Sequence, residues 1–182
     1  MGGRLVLVVG PSGVGKDTLI AGARAQLHGD PGFVFPRRVV TRASAAAFED
    51  HDSVSEATFA LQESQGAYAL SWRAHGLSYG LPAGIRDDLA AGRVVVVNAS
   101  RSVIDAARAA YESAAVVVID APADIRAQRL AGRGREGLAE ISARLAREID
   151  VSLEDAIRVD NSGPPAAGTA RLVAVLRALA TN

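Results

Sequence analysis

Short apolar runs alternate along the chain with segments in which apolar residues recur at helical spacing. Runs at 5–9, 94–97 and 115–119 predict buried parallel strands, and weaker strands are expected near 34–41 and 157–159. The helical pattern predicts helices near 15–27, 55–65, 82–91, 102–112, 122–133, 137–150 and 167–180, with Pro82 and Pro122 in first turns. This alternation is typical of an α/β fold with a parallel sheet.

The middle of the chain has fewer long apolar runs than the segments on either side. It concentrates aromatic and histidine side chains, namely His51, Tyr68, Trp72, His75 and Tyr79. We therefore expect a substrate-binding insertion carried by a larger core. The predicted organisation is a single domain over 1–182, with a core of 1–33 and 93–182 and an inserted sub-domain of about 34–92.

The first predicted strand leads into the segment GPSGVGKD at 10–17 and then into a helix. This order of strand, glycine-rich loop and helix is that of a P-loop, in which backbone N–H groups and a lysine hold nucleotide phosphates. Of the 20 Lys and Arg residues 19 are Arg, and the one lysine, Lys16, stands in this loop, where a compact ammonium fits beside phosphate oxygens. The predicted nucleotide-binding residues are Gly10, Pro11, Ser12, Gly13, Val14, Gly15, Lys16, Asp17 and Thr18.

One position departs from the common P-loop pattern. The residue after the lysine, normally a Ser or Thr whose hydroxyl contacts Mg²⁺, is Asp17, and Thr18 follows it. The Asp17 carboxylate could bind Mg²⁺ directly or through water, or could serve only as a favourable charge in the first helical turn. Both interpretations stay open at this stage.

Arginines cluster at positions 126, 129, 133, 135, 144 and 147. The glycines around Arg133 predict a closing lid over about 132–142. We expect Arg129 and Arg133 to contact the nucleotide, and Arg133 and Arg144 to neutralise charge on a transferred phosphoryl group. The alternative is a set of solvated helix faces paired with Glu136, Glu140 and Glu148.

A third group of residues lies in the predicted insertion. Arg42, together with Arg37 and Arg38, offers guanidinium groups to a phosphate, and Tyr79 offers a hydroxyl on a rigid ring. These side chains predict an acceptor-phosphate pocket. The alternative is structural, with Trp72 in the core and His51 and His75 as ordinary packed histidines. Three histidines without HExxH spacing or cysteines do not predict a metal site.

Composition narrows the function classes. The formal net charge is zero, so no global field favours nucleic acid or an acidic membrane. There is no cysteine, which excludes disulfides, a thiolate nucleophile and a cysteine-ligated zinc. No apolar run approaches the ~20 residues that span a bilayer. Because the first predicted strand begins within a few residues of Met1, we expect no signal peptide. We expect a cytoplasmic, nucleotide-using enzyme.

The chain resembles the guanylate kinases in the order and spacing of its P-loop, Thr41-Arg42, Tyr79-Gly80 and the arginines from Arg129 to Arg144. This resemblance covers nearly the whole chain. It implies an α/β P-loop NTPase fold, with a parallel-sheet core, a nucleoside monophosphate kinase-like acceptor-binding insertion and an Arg-rich lid. Two positions depart from that family. Guanylate kinases carry a base-reading Glu where this chain has Ser71, and an acidic pattern where it has Asn98.

The departures match a related family, the ribose 1,5-bisphosphate phosphokinases of phosphonate metabolism. The shared marks are Gly15-Lys16-Asp17, Glu49-Asp50-His51, Leu70-Ser71-Trp72, Asn98 with Ser100-Arg101, and Arg133-Gly134-Arg135-Glu136. The resemblance implies transfer of the γ-phosphoryl group of ATP, with Mg²⁺, to ribose 1,5-bisphosphate, giving 5-phosphoribosyl 1-diphosphate and ADP. It implies catalytic roles for Lys16, Arg133 and Arg144, and substrate-binding roles for Arg42, Glu49, His51, Ser71, Tyr79, Asn98, Ser100 and Arg101.

Two alternatives remain open from the sequence. One is a guanylate or other nucleoside monophosphate kinase, because this fold serves several acceptors. The other is a catalytically silent interaction module, although Lys16 and the three loop glycines argue against it. The expected partners are small molecules, with neither nucleic acid nor membrane, and a homodimer is left open.

Overall fold

The computed structural model describes residues 2–42, 51–131 and 153–181. The strands in these ranges are β1 (Arg4–Val9), β2 (Phe33–Val34), β3 (Arg38–Val40), β4 (His51–Ser53), β5 (Tyr68–Ala74), β6 (Leu77–Pro82), β7 (Val94–Asn98), β8 (Ala115–Asp120) and β9 (Ile157–Asp160). The helices are α1 (Lys16–Gln26), α2 (Glu56–Ser64), α3 (Ile85–Ala90), α4 (Ile104–Ala110), α5 (Ala123–Ala131) and α6 (Pro165–Thr181), with a 3₁₀ turn at Arg101–Val103.

The strands form two sheets. A five-stranded sheet has the order β2-β7-β1-β8-β9, and its pairs β2–β7 and β8–β9 are parallel. A four-stranded sheet has the order β4-β3-β6-β5, in which β3–β4 is parallel and both β3–β6 and β5–β6 are antiparallel. β1 is buried from Leu5 to Val9, as its continuous apolar run predicts for a strand covered on both faces.

The chain divides into two compact units, Met1–Leu7 with Asp30–Ala115 and Val8–Gly29 with Val116–Asn182. In the first unit, Phe59 of α2 is fully buried and stacks on Tyr68 of β5, with ring centroids 4.6 Å apart. The Tyr68 ring also lies against Gly80 of β6, where an added Cβ would come within 2.6 Å of it. The small residue therefore lets α2 and its aromatic pair pack closely onto the four-stranded sheet.

The second unit is organised around the packing of α1 against α6. Leu19 of α1 and Leu172 and Leu176 of α6 are fully buried. At Gly22 the approach is so close that an added Cβ would lie 2.7 Å from the Thr169 side chain. This apolar contact holds α1, and the loop that precedes it, on a rigid support.

The predicted alternation of strands and helices is confirmed in outline. The strands at 5–9, 94–97, 115–119 and 157–159 form, and helices occupy 16–26, 56–64, 104–110, 123–131 and 165–181. The helix predicted at 137–150 lies outside the described residues. In those described, no helix has the length and apolar character needed to cross a membrane.

Two predictions in the middle of the chain were wrong. Pro82 does not begin a helix: it is the last residue of β6, and α3 begins at Ile85. The predicted strand at 34–41 is two short strands in different sheets, β2 and β3, with Pro36 between them. Proline donates no hydrogen bond, so it suits a break between the two ladders. The strands β4, β5 and β6 were not predicted.

Candidate functional site

The predicted P-loop connects β1 to α1 in the second unit. Its backbone requires glycine at both ends: Gly10 has φ +154° and Gly15 has φ +90°. An added Cβ would lie 2.4 Å from the carbonyl oxygen of Ile119 at Gly10 and 2.8 Å from Asn161 Nδ2 at Gly15. Gly15 is the N-cap of α1. Positive φ at these glycines allows successive N–H groups to point the same way, and a nest formed in this manner would lie at the positive end of α1.

Lys16 is the first residue of α1, and its ammonium group folds back over the loop. Its Nζ donates to the carbonyl oxygen of Gly10 at 2.8 Å and to that of Pro11 at 3.5 Å. Both contacts hold the positive charge within the loop. The predicted phosphate-binding lysine is therefore placed with the loop amides.

Two side chains converge on the carbonyl oxygen of Val14, at the far side of the loop. Asn161 Nδ2 donates to it at 2.7 Å, and Arg129 Nη1 donates to it at 3.4 Å. Arg129 also donates through Nη2 to the carbonyl oxygen of Gly163 at 3.3 Å. The structure thus places Arg129, predicted to bind nucleotide, against the loop backbone.

The other residues predicted to bind the nucleotide lie in the loop or in the first turn of α1. Ser12 belongs to the loop, and among the described residues its buried Oγ has no hydrogen-bond partner. Asp17 is half-buried in the first turn of α1, while Thr18 is exposed. Across the described ranges, no group of three or more His, Asp or Glu side chains is arranged to hold a metal ion. Arg133 and Arg144 lie outside the described residues, as does the predicted lid.

In the first unit, three predicted or considered acceptor residues share one face of the four-stranded sheet. Arg38 of β3 pairs directly with His51 of β4, and Val40, two residues later, pairs with Tyr79 of β6. Residues that pair, or lie two apart on a strand, share a face. The Arg38 guanidinium carbon accordingly lies 5.7 Å from the centroid of the Tyr79 ring. We call this surface the tyrosine face.

Tyr79 is held rigidly on the tyrosine face. Its ring stacks on Trp72 of β5, with centroids 5.4 Å apart and planes 7° apart. Trp72 itself is buried, so the structural interpretation of that residue is confirmed. His51 is also buried, and its carbonyl oxygen accepts a hydrogen bond of 2.9 Å from Arg37 Nη2.

Ser71 lies on the opposite face of the same sheet. It pairs with Gly80, whereas the next residue, Trp72, pairs with Tyr79. Because successive residues of a strand point to opposite faces, the structure does not bring Ser71 and Tyr79 together. Ser71 instead donates from Oγ to the Glu63 carboxylate of α2.

Glu63 joins Ser71 to a second strand residue. Arg73 Nη2 forms an ion pair of 2.8 Å with Glu63 Oε2, and the Arg73 guanidinium also lies over the Phe59 ring. Hydrogen bonds from Arg73, and then from Ser71, hold the pKa of the Glu63 carboxyl below its usual value. We call Glu63, Ser71 and Arg73 the carboxylate cluster.

Four further predicted residues lie at strand ends of the first unit. Arg42 follows Thr41, whose backbone and hydroxyl bond to Ser78, the residue before Tyr79.

Asn98 ends β7. Ser100 caps the 3₁₀ turn by accepting from Ser102, and Arg101 begins that turn. Glu49 lies outside the described residues.

Comparisons with known proteins identify the family. No family model matches the chain. A ribose 1,5-bisphosphate phosphokinase PhnN of Brucella melitensis is 51% identical over 169 residues, covering 92% of this chain and 88% of that protein. Another PhnN, of Acidiphilium cryptum, is 53% identical over 175 residues, covering 96% and 93%. The chain belongs to the ribose 1,5-bisphosphate phosphokinase family.

The fold of this family member is that of a guanylate kinase. The crystal structure of guanylate kinase from Anaplasma phagocytophilum superposes with a TM-score of 0.73, covering 100% of this chain and 88% of that one, at 18% identity. At that identity the likeness concerns the fold alone. The predicted fold class and the predicted family are both confirmed.

Two polar residues beside the predicted sites were missed from the sequence. Asn161 follows β9 immediately and donates to the loop, and Glu63 lies in the last turn of α2 and bonds to Ser71. For Asn161 a signal was present, because polar residues at the carboxyl end of a core strand commonly line a ligand site. Glu63 carried no such signal, since a carboxylate near a helix end is usually a solvated charge.

Proposed function

We propose that this protein transfers the γ-phosphoryl group of ATP to ribose 1,5-bisphosphate, producing 5-phosphoribosyl 1-diphosphate and ADP. The observation that carries the proposal is its membership of the phosphokinase family over nearly its whole length. The geometry of the predicted phosphate loop supports it, because its three glycines have positive φ and Lys16 Nζ donates to the carbonyl oxygen of Gly10.

The donor half of the reaction is assigned to the loop. Its N–H groups, the N-terminus of α1 and Lys16 bind the β- and γ-phosphates of ATP. A preorganised cradle of this kind stabilises charge without having to reorganise during the reaction. The catalytic roles of Lys16, Arg133 and Arg144, and nucleotide contacts from Arg129 and Arg133, remain part of the proposal.

The acceptor is a phosphate group, so the transfer requires no general base. An ionised oxygen of the 1-phosphate attacks the γ-phosphorus, and the bond between that phosphorus and the β–γ bridging oxygen breaks. The bridging oxygen leaves with ADP, and its negative charge is neutralised by nearby cations. No proton has to be removed from the nucleophile.

Mg²⁺ is assigned to ATP and Asp17. Magnesium is usually bound by one or two carboxylates together with substrate phosphates, so a single half-buried carboxylate beside Lys16 fits this ion. When bound, the ion offsets negative charge on the phosphate oxygens. Asp17 would orient it from the first turn of α1.

The acceptor half is assigned to the tyrosine face. Arg38 and Arg42 supply guanidinium groups for a phosphate, and the hydroxyl of Tyr79, held by its stack on Trp72, donates to the same group. His51, on the same face, and Glu49, Asn98, Ser100 and Arg101 complete the proposed acceptor contacts. We infer a cytoplasmic location, where ATP is available, and leave a homodimer as a possibility to test.

The carboxylate cluster bears on acceptor choice. At the position where guanylate kinases carry a base-reading Glu, this chain has Ser71. The Ser71 hydroxyl donates a hydrogen bond to the Glu63 carboxylate. Within the cluster, both Glu63 oxygens already accept from Ser71 and Arg73. A guanine base would therefore meet a carboxylate engaged elsewhere, which supports a sugar rather than a nucleobase acceptor. The substrate contact predicted for Ser71 stays a prediction, because Ser71 lies on the face opposite the one assigned here to the acceptor.

The test is ADP release with ribose 1,5-bisphosphate, GMP and AMP supplied in parallel. We expect turnover with the sugar bisphosphate and little with either nucleotide. Turnover of GMP without the sugar bisphosphate would establish a guanylate kinase instead. Release from none of the three would favour a catalytically silent module.

A further inference from the structure

Asn161 is a buried polar side chain in contact with the phosphate loop. It is 2% exposed, and its Nδ2 donates 2.7 Å to the carbonyl oxygen of Val14. The amide orientation follows from chemistry, because an oxygen in place of Nδ2 would face another acceptor at that distance. A buried residue is thus committed to one carbonyl of the loop.

The Asn161 side chain is fixed from several elements of the same unit. Its backbone N–H donates 2.8 Å to the carbonyl oxygen of Asp120, which continues the pairing of β9 with β8. On the α6 side, an added Cβ at Gly168 would lie 2.4 Å from Asn161 Oδ1. On the loop side, an added Cβ at Gly15 would lie 2.8 Å from Nδ2. Both glycines provide the space that the side chain fills.

The bond to Val14 also sets the direction of a neighbouring donor. In a planar trans peptide, the carbonyl of Val14 and the N–H of Gly15 point in opposite directions. Because Asn161 draws the carbonyl toward itself, the Gly15 N–H is directed away from Asn161. Arg129 acts on the same carbonyl, but at 3.4 Å and from a half-buried position.

We propose that Asn161 is a positioning residue for the donor phosphates, acting through the Val14–Gly15 peptide. It need not touch ATP: it holds one N–H of the nest at the angle that phosphate binding requires. The proposal rests on the proposed function, because it assumes that the loop binds ATP. It adds a residue more than a hundred positions away from the loop in the sequence.

The direct test measures binding of ATP and of tripolyphosphate, which probes the loop without a base, to wild type and Asn161→Ala. We expect both dissociation constants to rise about tenfold, the effect of losing one good hydrogen bond. The Km for ribose 1,5-bisphosphate should stay within about twofold. An unchanged dissociation constant for both probes would overturn the proposal.

A stability control separates positioning from general damage. Thr169→Ala truncates another buried polar side chain, which belongs to α6 and packs on Gly22 rather than on the loop. It should lower the melting temperature while leaving both dissociation constants at the wild-type value. If Thr169→Ala weakened ATP as much as Asn161→Ala, Asn161 would be merely structural.

Two further measurements keep the outcome decisive. If Asn161→Ala does not fold, Asn161→Leu keeps the branched shape without a donor, and the same tenfold weakening is expected. In ¹⁵N spectra, the Gly15 amide resonance should move in the variant that is used, and an unmoved resonance would count against the proposal. Failure of wild type itself to bind ATP or tripolyphosphate would instead refute the proposed function.

Discussion

The phosphate loop and the four-stranded sheet bring their side chains together in different ways. The loop is built mainly from consecutive residues 10–17. Asn161 and Arg129 both donate to the carbonyl oxygen of Val14 within it. The tyrosine face collects His51, Arg38 and Tyr79 from three strands. A contiguous site depends on local backbone geometry, whereas the sheet site depends on strand pairing. The two regions should therefore fail in different ways when they are mutated.

The largest effect is expected in the loop at Lys16. Lys16→Arg should lower kcat by at least about 100-fold, because a planar guanidinium would replace the compact charge that we propose to contact the moving phosphoryl group. The melting temperature should change little. The matched control is Arg177→Lys, the reverse exchange at an exposed position of α6, which should keep wild-type turnover. Wild-type kcat in Lys16→Arg would contradict the proposed catalytic role of Lys16.

A glycine pair tests whether the loop backbone or the space around it matters. Gly15 and Gly29 have nearly equal φ, +90° and +89°, but only Gly15 has a neighbour that an added Cβ would strike. Gly29→Ala should lower the free energy of unfolding by about 1–2 kcal/mol, the cost of that backbone region. Gly15→Ala should cost more and also raise the dissociation constant of ATP more than tenfold. Equal effects in both variants would show that the Asn161 contact is unimportant.

The proposed acceptor site is tested by comparing the two faces of the four-stranded sheet. Tyr79→Phe keeps the stack on Trp72 but removes the hydroxyl, so the Km for ribose 1,5-bisphosphate should rise about tenfold. Ser71→Ala, on the other face, should raise it less. Tyr111→Phe, outside the sheet, is the control. A larger increase in this Km for Ser71→Ala than for Tyr79→Phe would indicate that the acceptor binds at the carboxylate cluster instead of at the tyrosine face.

The smallest effect concerns stability in acid. The lowered pKa of Glu63 means that its carboxylate stabilises the fold above its ordinary pKa, and that this contribution is lost as the pH falls through the folded-state value. Melting temperatures from pH 7 to pH 3 should fall more for wild type than for Glu63→Gln. The contribution of the Glu63 carboxylate to the free energy of unfolding should not exceed about 1 kcal/mol, because both Glu63 and Arg73 are partly exposed. The stabilising role of the carboxylate cluster would be contradicted if wild type and Glu63→Gln lost melting temperature equally as the pH falls. It would also be contradicted if the exposed control Glu112→Gln had the same effect as Glu63→Gln.

These two regions also differ in how far the sequence predicted them. The loop, β1 and α1 were predicted nearly residue by residue, because glycine spacing and a continuous apolar run are local signals. The hairpin of β5 and β6 was not predicted, although burial alternates at Tyr68, Leu70 and Trp72 along β5. Its turn places His75 at φ +53° beside Gly76 at φ +72°, and a non-glycine residue there hides the usual turn signal.

Side-chain groupings across the sheet could not be predicted for a physical reason. A one-residue difference in strand register reverses every face, so the sequence grouped Ser71 with Tyr79 although they face opposite sides. The position of Asn161 after a core strand was a signal for a ligand site, but its partner Val14 was not predictable, because the two residues are far apart in the sequence. Residue types were informative in both regions, but partners were predictable only where they are neighbours in the chain.

We propose above that the phosphoryl acceptor is a sugar bisphosphate rather than a nucleotide. The most direct measurement offers the protein ATP with equal concentrations of ribose 1,5-bisphosphate and GMP, and follows the products by ³¹P NMR. We expect the signals of a diphosphate on the sugar, with GMP unconsumed. Accumulation of GDP with the ribose 1,5-bisphosphate left intact would contradict it.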